Sequence, residues 1–243
     1  GYGDMMLRQY KSSQDYMELL KKHFPRHGKE LKQTRVRTHM LGREQDLTTE
    51  NLITIALLYG SSEGRDRLLK GYGLDDERVV ELLSGLGENE LAFVEDIWKW
   101  LETFFPEANK LHMDLFQQEM KKVEAVPFRV GDIEMSGGYF PIYYDYELST
   151  TATQEQNPER YHESHGYRSM ASNYTHVRLS NVHEGAKASL FFGESLVRHI
   201  SDINRDLALQ RAFRDVYRIL KDSDVRDQMT RIIGPEGLNQ FRP

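Results

Sequence analysis

Cysteine is absent from the 243 residues, which excludes a disulfide, a zinc–thiolate site and a cysteine nucleophile within this chain. Long apolar runs are also missing: none approaches the roughly twenty residues that span a bilayer, so no transmembrane segment is expected. Apolar residues make up 39% of the chain and charged residues 29%. That balance fits a helical protein with wide solvated faces, or one that shares its apolar surface with partners. A surplus of positive charge is lacking as well. The net charge of −6 argues against a module whose main task is coating DNA or an anionic membrane, though it leaves room for a local basic patch. The chain opens Gly1-Tyr2-Gly3 without an initiator Met, and we expect a fragment of something longer or a processed product.

What is present is mostly helix, and we expect a mainly α fold: a helical bundle with a small β-hairpin element and a long C-terminal amphipathic helix. Both tryptophans fall between Glu88 and Tyr146, so this stretch should hold the centre of the core. It begins as a helix with Leu91, Val94, Ile97, Trp98 and Leu101 on its apolar face, interrupted at Pro106 and resuming through Leu111, Leu115, Phe116, Met120 and Val123. Val126, Phe128, Val130, Ile133 and Met135 then flank a Gly131-Asp132 turn, which reads as a hairpin. The run from Gly137 to Tyr146 looks strand-like. Gly137-Gly138 lacks the helix start, Lys and Ser/Thr of a phosphate loop, so it reads as a packing turn.

The chain divides into four parts: a polar helical and linker segment (1–46), a helical domain with a small β element (47–146), a loop (147–175), and a long helix with a short terminal one (176–243). In the first, a helix over about Met5–Lys22 ends at Phe24-Pro25. The basic run that follows reads as a solvated helix face or linker. In the nucleic-acid reading, Arg35, Arg37 and Arg43 are its phosphate contacts. Thr48 or Thr49 caps the buried helix Leu52–Tyr59, and Asp75 or Asp76 caps the one that ends at Gly85. Residues 147–175 are polar enough to predict a flexible loop. That loop and its continuation carry His162, His165, His176 and His183. His162 and His165 are three apart rather than at the two-His, four-apart spacing of a zinc protease, and Gly166 follows them directly. We therefore assign no metal ligands, and no cofactor. A metal-dependent hydrolase using His162 and His165 is the alternative.

From Leu190 to Leu220 one amphipathic helix is written, about 45 Å long at 1.5 Å per residue. Phe191, Phe192, Leu196, Ile200, Ile203, Leu207 and Tyr217 are its candidate interaction residues, because adjacent aromatics cannot share one narrow seam. Arg198 with Asp202, and Arg211 with Asp215, are four apart and able to pair. A short helix after Asp222 or Ser223 ends at Gly234-Pro235.

Several blocks, taken in order, resemble the helical C-terminal-type region of very large phage and prophage polypeptides, the polyvalent or internal virion (DNA-ejection) proteins. They are Leu57-Leu58-Tyr59-Gly60-Ser61-Ser62-Glu63-Gly64-Arg65-Asp66-Arg67-Leu68-Leu69; Gly71-Tyr72-Gly73; Phe105-Pro106-Glu107; Gly137-Gly138-Tyr139-Phe140-Pro141-Ile142-Tyr143-Tyr144-Asp145; and the helix from Arg198-His199-Ile200-Ser201-Asp202 onward. Together they span about two thirds of the chain. The resemblance implies a non-enzymatic structural module carried in the capsid interior and delivered into the host cell with the genome. Its implied partners are other virion proteins, further copies of itself and, transiently, genomic DNA. No catalytic residue carries over, because the matching motifs are turns, caps and apolar helix positions.

Overall fold

A computed structural model describes residues 1–26, 28–145 and 187–239. The fold is mainly helical with small antiparallel hairpins and a long C-terminal helix. The first helix, α1, spans Tyr2–His23. A 3-10 turn, Lys29–Lys32, leads into strands β1 (Thr34–Met40) and β2 (Arg43–Thr48). Helices α2 (Thr49–Tyr59), α3 (Ser62–Tyr72), α4 (Asp76–Leu83), α5 (Glu88–Glu102) and α6 (Phe105–Phe116) follow. Strands β3 (Phe128–Val130) and β4 (Ile133–Met135) form the second hairpin. The long helix α7 spans Phe192–Lys221, and α8 spans Ser223–Asn239.

The hub is α2. Every residue of it except Glu50 is buried, and it packs against α3, α4, α5, β2 and α7. Its start is fixed by a reciprocal cap: Thr48 Oγ1 accepts the Asn51 N–H while the Asn51 side chain accepts the Thr48 N–H. The α5 helix covers α2 with Phe93, Val94, Ile97 and Trp98, all buried. Trp98 donates its indole N–H to the Leu57 carbonyl at 3.3 Å. The expected hairpin at Gly131-Asp132 is present, with Phe128 opposite Met135 and Val130 opposite Ile133. Gly137 and Gly138 form the packing turn: a methyl on Gly137 would lie 2.6 Å from the Gly60 carbonyl oxygen, and one on Gly138 would lie 2.5 Å from the Trp98 ring.

Three expectations need correction. First, residues 34–48 are a β-ribbon, not a helix face or linker. Val36, Thr38 and Met40 point inward, with Thr38 and Met40 buried, and alternate with exposed Arg35, Arg37 and His39. Leu41 and Gly42 turn the chain with φ of 57° and 76°, the positive pair that matches the strand twist. Second, α6 ends at Phe116 instead of running on to Val123. Gln117 adopts a left-handed conformation and its N–H bonds the Met113 carbonyl, which closes the helix. Third, the run after Gly138 forms a single bridge, Tyr144 to Ala188, instead of a strand. The expected stop at Gly234 is present: its φ of 73° and ψ of 164° are non-helical and break α8 there, and a further helical segment follows to Asn239.

Candidate interaction surface on the long C-terminal helix

The start of α7 has no side-chain cap of its own. Its unpaired backbone groups are satisfied from α2. Thr54 Oγ1 accepts the Phe192 N–H at 3.0 Å, Glu50 Oε1 accepts the Gly193 N–H at 3.4 Å, and Asn51 Nδ2 donates to the Leu190 carbonyl at 3.0 Å. Burial pushes the Glu50 carboxyl above its ordinary range, while the Gly193 N–H and nearby Lys32 pull it down. One turn of α2 thus receives the end of a helix far along the chain.

Past this receptor, the first half of α7 is core. Phe192, Leu196, Ile200, Ile203 and Leu207 are buried against this chain's own helices. Phe192 packs on Phe93, with ring centroids 5.4 Å apart. Ile203 and Leu207 form a small cluster with Leu111 of α6. A buried polar track runs beside them. Asn204 Nδ2 donates to Gln9 Oε1 at 3.2 Å and to Ser12 Oγ at 3.1 Å on α1. The Tyr139 hydroxyl lies 3.2 Å from His199 Nε2. Five of the seven candidate residues on this helix are therefore occupied inside the chain. Phe191, at 48% exposed, faces outward, and the side chain of Tyr217 lies outside the described residues.

The cover ends near Arg211. Its guanidinium grips Asp114 of α6 at 2.7 and 3.0 Å, and Arg214 donates to the Asp114 carbonyl at 2.8 Å. These contacts replace the expected pairing of Arg211 with Asp215, which pairs with Arg214 instead. Likewise Arg198 lies over the Tyr143 ring, and Asp202 pairs with Arg205. Two residues later α6 stops, but α7 continues for about another 16 Å. Apolar residues also continue, at Phe213, Val216 and Ile219, but at about 100° per residue they swing round to the side of the helix away from the buried Leu196–Leu207 stripe. Phe213, Val216 and Ile219 are now 36%, 52% and 56% exposed, and Ile232 and Ile233 of α8 are exposed as well. A second apolar stripe lies on the outside of α1, where Tyr2, Met6 and Tyr10 are four apart and exposed, with Met17 further along.

The three arginines of the nucleic-acid reading are not brought together. Arg35 bonds Thr49 and Glu90, and Arg37 pairs with Asp46 directly across the ribbon. Arg43 sits opposite Met40, which places it on the other face from Arg37. His162, His165, His176 and His183 lie outside the described residues, as does the loop 147–175. Among the described residues no group of three or more His, Asp or Glu side chains is placed to hold a metal, and no helix is long and apolar enough to cross a membrane. Compared with known proteins, the chain matches no family model, no curated protein and no solved structure.

Proposed function

We propose that this chain is a non-catalytic interaction module that assembles through the second half of α7 together with α8. One observation carries this reading: past the end of α6, Phe213, Val216 and Ile219, spaced three apart, form an exposed apolar group on one side of α7. Exposed apolar side chains in a contiguous group mark association surfaces more often than idle ones. The charged neighbours Arg214, Asp215 and Arg218 then set register at the rim, through specificity more than affinity. The setting we propose is the interior of a phage particle, as part of an internal virion protein that travels with the genome. The support for this setting is the resemblance of the ordered sequence blocks to that family's helical region. Its partners there are further copies of this chain and neighbouring virion proteins.

Light scattering on the purified chain across a concentration series tests the assembly. Wild type should self-associate, and Val216→Asp with Ile219→Asp should shift it to monomer without lowering its melting temperature. A wild type that stays monomeric at high concentration and binds no other virion protein sinks the reading. Mass spectrometry of purified particles tests the setting, and absence of the polypeptide from them would remove it.

A further inference from the structure

The charge on this chain is unevenly spread. Between Lys21 and Arg43 there are eight Lys and Arg residues against one acid, Glu30, in a chain whose net charge is −6. The fold neutralises part of this excess: Lys22 pairs with Asp96, Arg35 with Glu90 and Arg37 with Asp46. Arg26, Lys29 and Lys32 are exposed and form no ion pair among the described residues. Glu30 does not offset them at the surface. One of its carboxylate oxygens accepts the Arg26 N–H at 3.3 Å and the other is buried without a hydrogen-bond partner. Lys32 is near enough to Glu50 to lower its carboxyl's pKa, yet makes no ion pair with it.

The local backbone aligns two of these cations, Lys29 and Lys32, with Arg26 on the other side of the left-handed Gly28. They are spaced three apart, and Lys29–Lys32 is a 3-10 turn, in which residues three apart eclipse one another. Lys29 and Lys32 therefore stand on one side, about 6 Å apart along the axis at ~2.0 Å per residue. Cations at that separation can reach neighbouring phosphates of one nucleic-acid strand. With Glu30 and the half-buried Glu50 as the acids nearby, the three cations outnumber their counter-charges at the surface, and a polyanion relieves the remaining repulsion.

We propose that the turn Arg26–Lys32 docks a nucleic-acid phosphate backbone, without reading its sequence. The turn offers nothing for inserting into a lipid surface: Pro25, Gln33 and Thr34 are its exposed neighbours, and the nearest exposed large apolar residue in sequence is Met17. The site also differs from the Arg35, Arg37 and Arg43 set of the nucleic-acid alternative, because Arg35 and Arg37 are already paired. It is separate from the assembly face on α7 and is probed by different variants.

The test is fluorescence anisotropy of the full chain with a labelled 20-nucleotide single strand and its duplex, over a salt series. Binding should be micromolar at about 50 mM salt, with a log–log salt slope of about −2 for the single strand and −3 for the duplex, as three phosphate contacts require. Arg26→Gln/Lys29→Gln/Lys32→Gln should weaken binding at least about tenfold and flatten the slope. Arg26→Lys/Lys29→Arg/Lys32→Arg should keep it, and Arg37→Gln should leave it within about twofold. The proposal is overturned by wild type that binds neither DNA at 50 mM salt, by a triple Gln variant that binds like wild type, or by binding to anionic vesicles alone.

Discussion

Thr54 on α2 accepts the backbone N–H of Phe192 at 3.0 Å across 138 residues of sequence. The same hydroxyl donates to the Glu50 carbonyl at 2.8 Å, so it is held in place to act as the missing cap of α7. Thr54→Val keeps the shape and removes both bonds. Leaving a buried N–H unsatisfied costs about 1–3 kcal/mol, and the loss should appear in the urea midpoint. Thr54→Ser should recover most of it. Equal stability of the Val and Ser variants would show that the hydroxyl contributes shape alone.

Glu50, one turn earlier on α2, makes the second contact to α7, and its charge has a calculable sign. Burial raises its carboxyl's pKa above the ordinary range, so the folded state holds this proton more tightly than the unfolded chain does. Such a group favours folding below the ordinary carboxylate pKa, and its contribution is lost as pH rises through the folded value. Glu50→Gln keeps an oxygen for the Gly193 N–H and carries no charge. At pH 8 the variant should be at least as stable as wild type, and the difference should close near pH 4. A variant less stable at pH 8 would mean that the charge at the start of α7 outweighs its burial.

Asp96 behaves in the opposite sense. Burial pushes its carboxyl up, but the hydrogen bonds and charges of Lys22 and His23, at 2.6 and 2.8 Å, prevail and hold it below the ordinary range. This contribution is present above the ordinary carboxylate pKa and lost as pH falls through the folded value. Lys22 is 62% exposed and Asn keeps an acceptor for His23, so Asp96→Asn should cost up to about 1 kcal/mol at pH 7, with the gap narrowing in acid. Parallel denaturation curves at pH 7 and pH 3 check this, and a gap that stays constant would refute it.

The helices were largely legible because their caps and rhythms are local. Thr48, Asp75, the Pro106 break and the period of α7 each act within a few residues, and the Gly131-Asp132 turn is equally local. The first hairpin escaped because Arg35, Arg37 and His39 drew attention as a charge run, although the residues between them alternate inward as a strand requires. Its turn also begins with Leu41, a residue that seldom adopts positive φ. The face of α7 was readable, but its extent was not. The buried stripe runs from Phe192 to Leu207, and beyond it the apolar positions Phe213, Val216 and Ile219 rotate to another side of the helix, where α6 and α1 do not cover them. Nor could sequence separate the arginines of the ribbon from the cations of the turn before it, which have no ion pair among the described residues, since Arg35 finds Glu90 on α5 and Arg37 finds Asp46 only once the ribbon has formed.

Trp98 lies between two glycines, Gly60 and Gly138. A methyl on Gly60 would come within 2.2 Å of the indole, and one on Gly138 within 2.5 Å. Neither can be accommodated by a rotamer change, because the indole N–H is fixed on Leu57 and the ring packs edge-on against Phe128. Gly60→Ala and Gly138→Ala should each destabilise by about 2 kcal/mol or more through overpacking. Gly73→Ala, where nothing lies within 4 Å, supplies the control and should lose only the strain of φ 64°. Tryptophan fluorescence during unfolding reads both effects.

The last prediction concerns the point where α7 leaves the body. Arg211 and Arg214 both close on Asp114, at the end of α6, through the side chain and the carbonyl respectively. The side chains of Asp114 and Arg211 are 40% and 43% exposed, so the pair adds little to global stability, less than about 1 kcal/mol. Its effect is local: it ties the last covered turn of α7 to the last turn of α6 and sets the direction in which the exposed stripe projects. Asp114→Ala should leave the unfolding midpoint nearly unchanged and speed amide exchange from Arg211 to Lys221. Moderate salt should do the same to wild type by screening the pair. If the projecting stripe is the assembly surface, the variant should also dissociate more readily, because a loosened helix must be ordered again on binding. Unchanged exchange over these residues would show that apolar packing at Leu207 and Leu111 alone holds the exit.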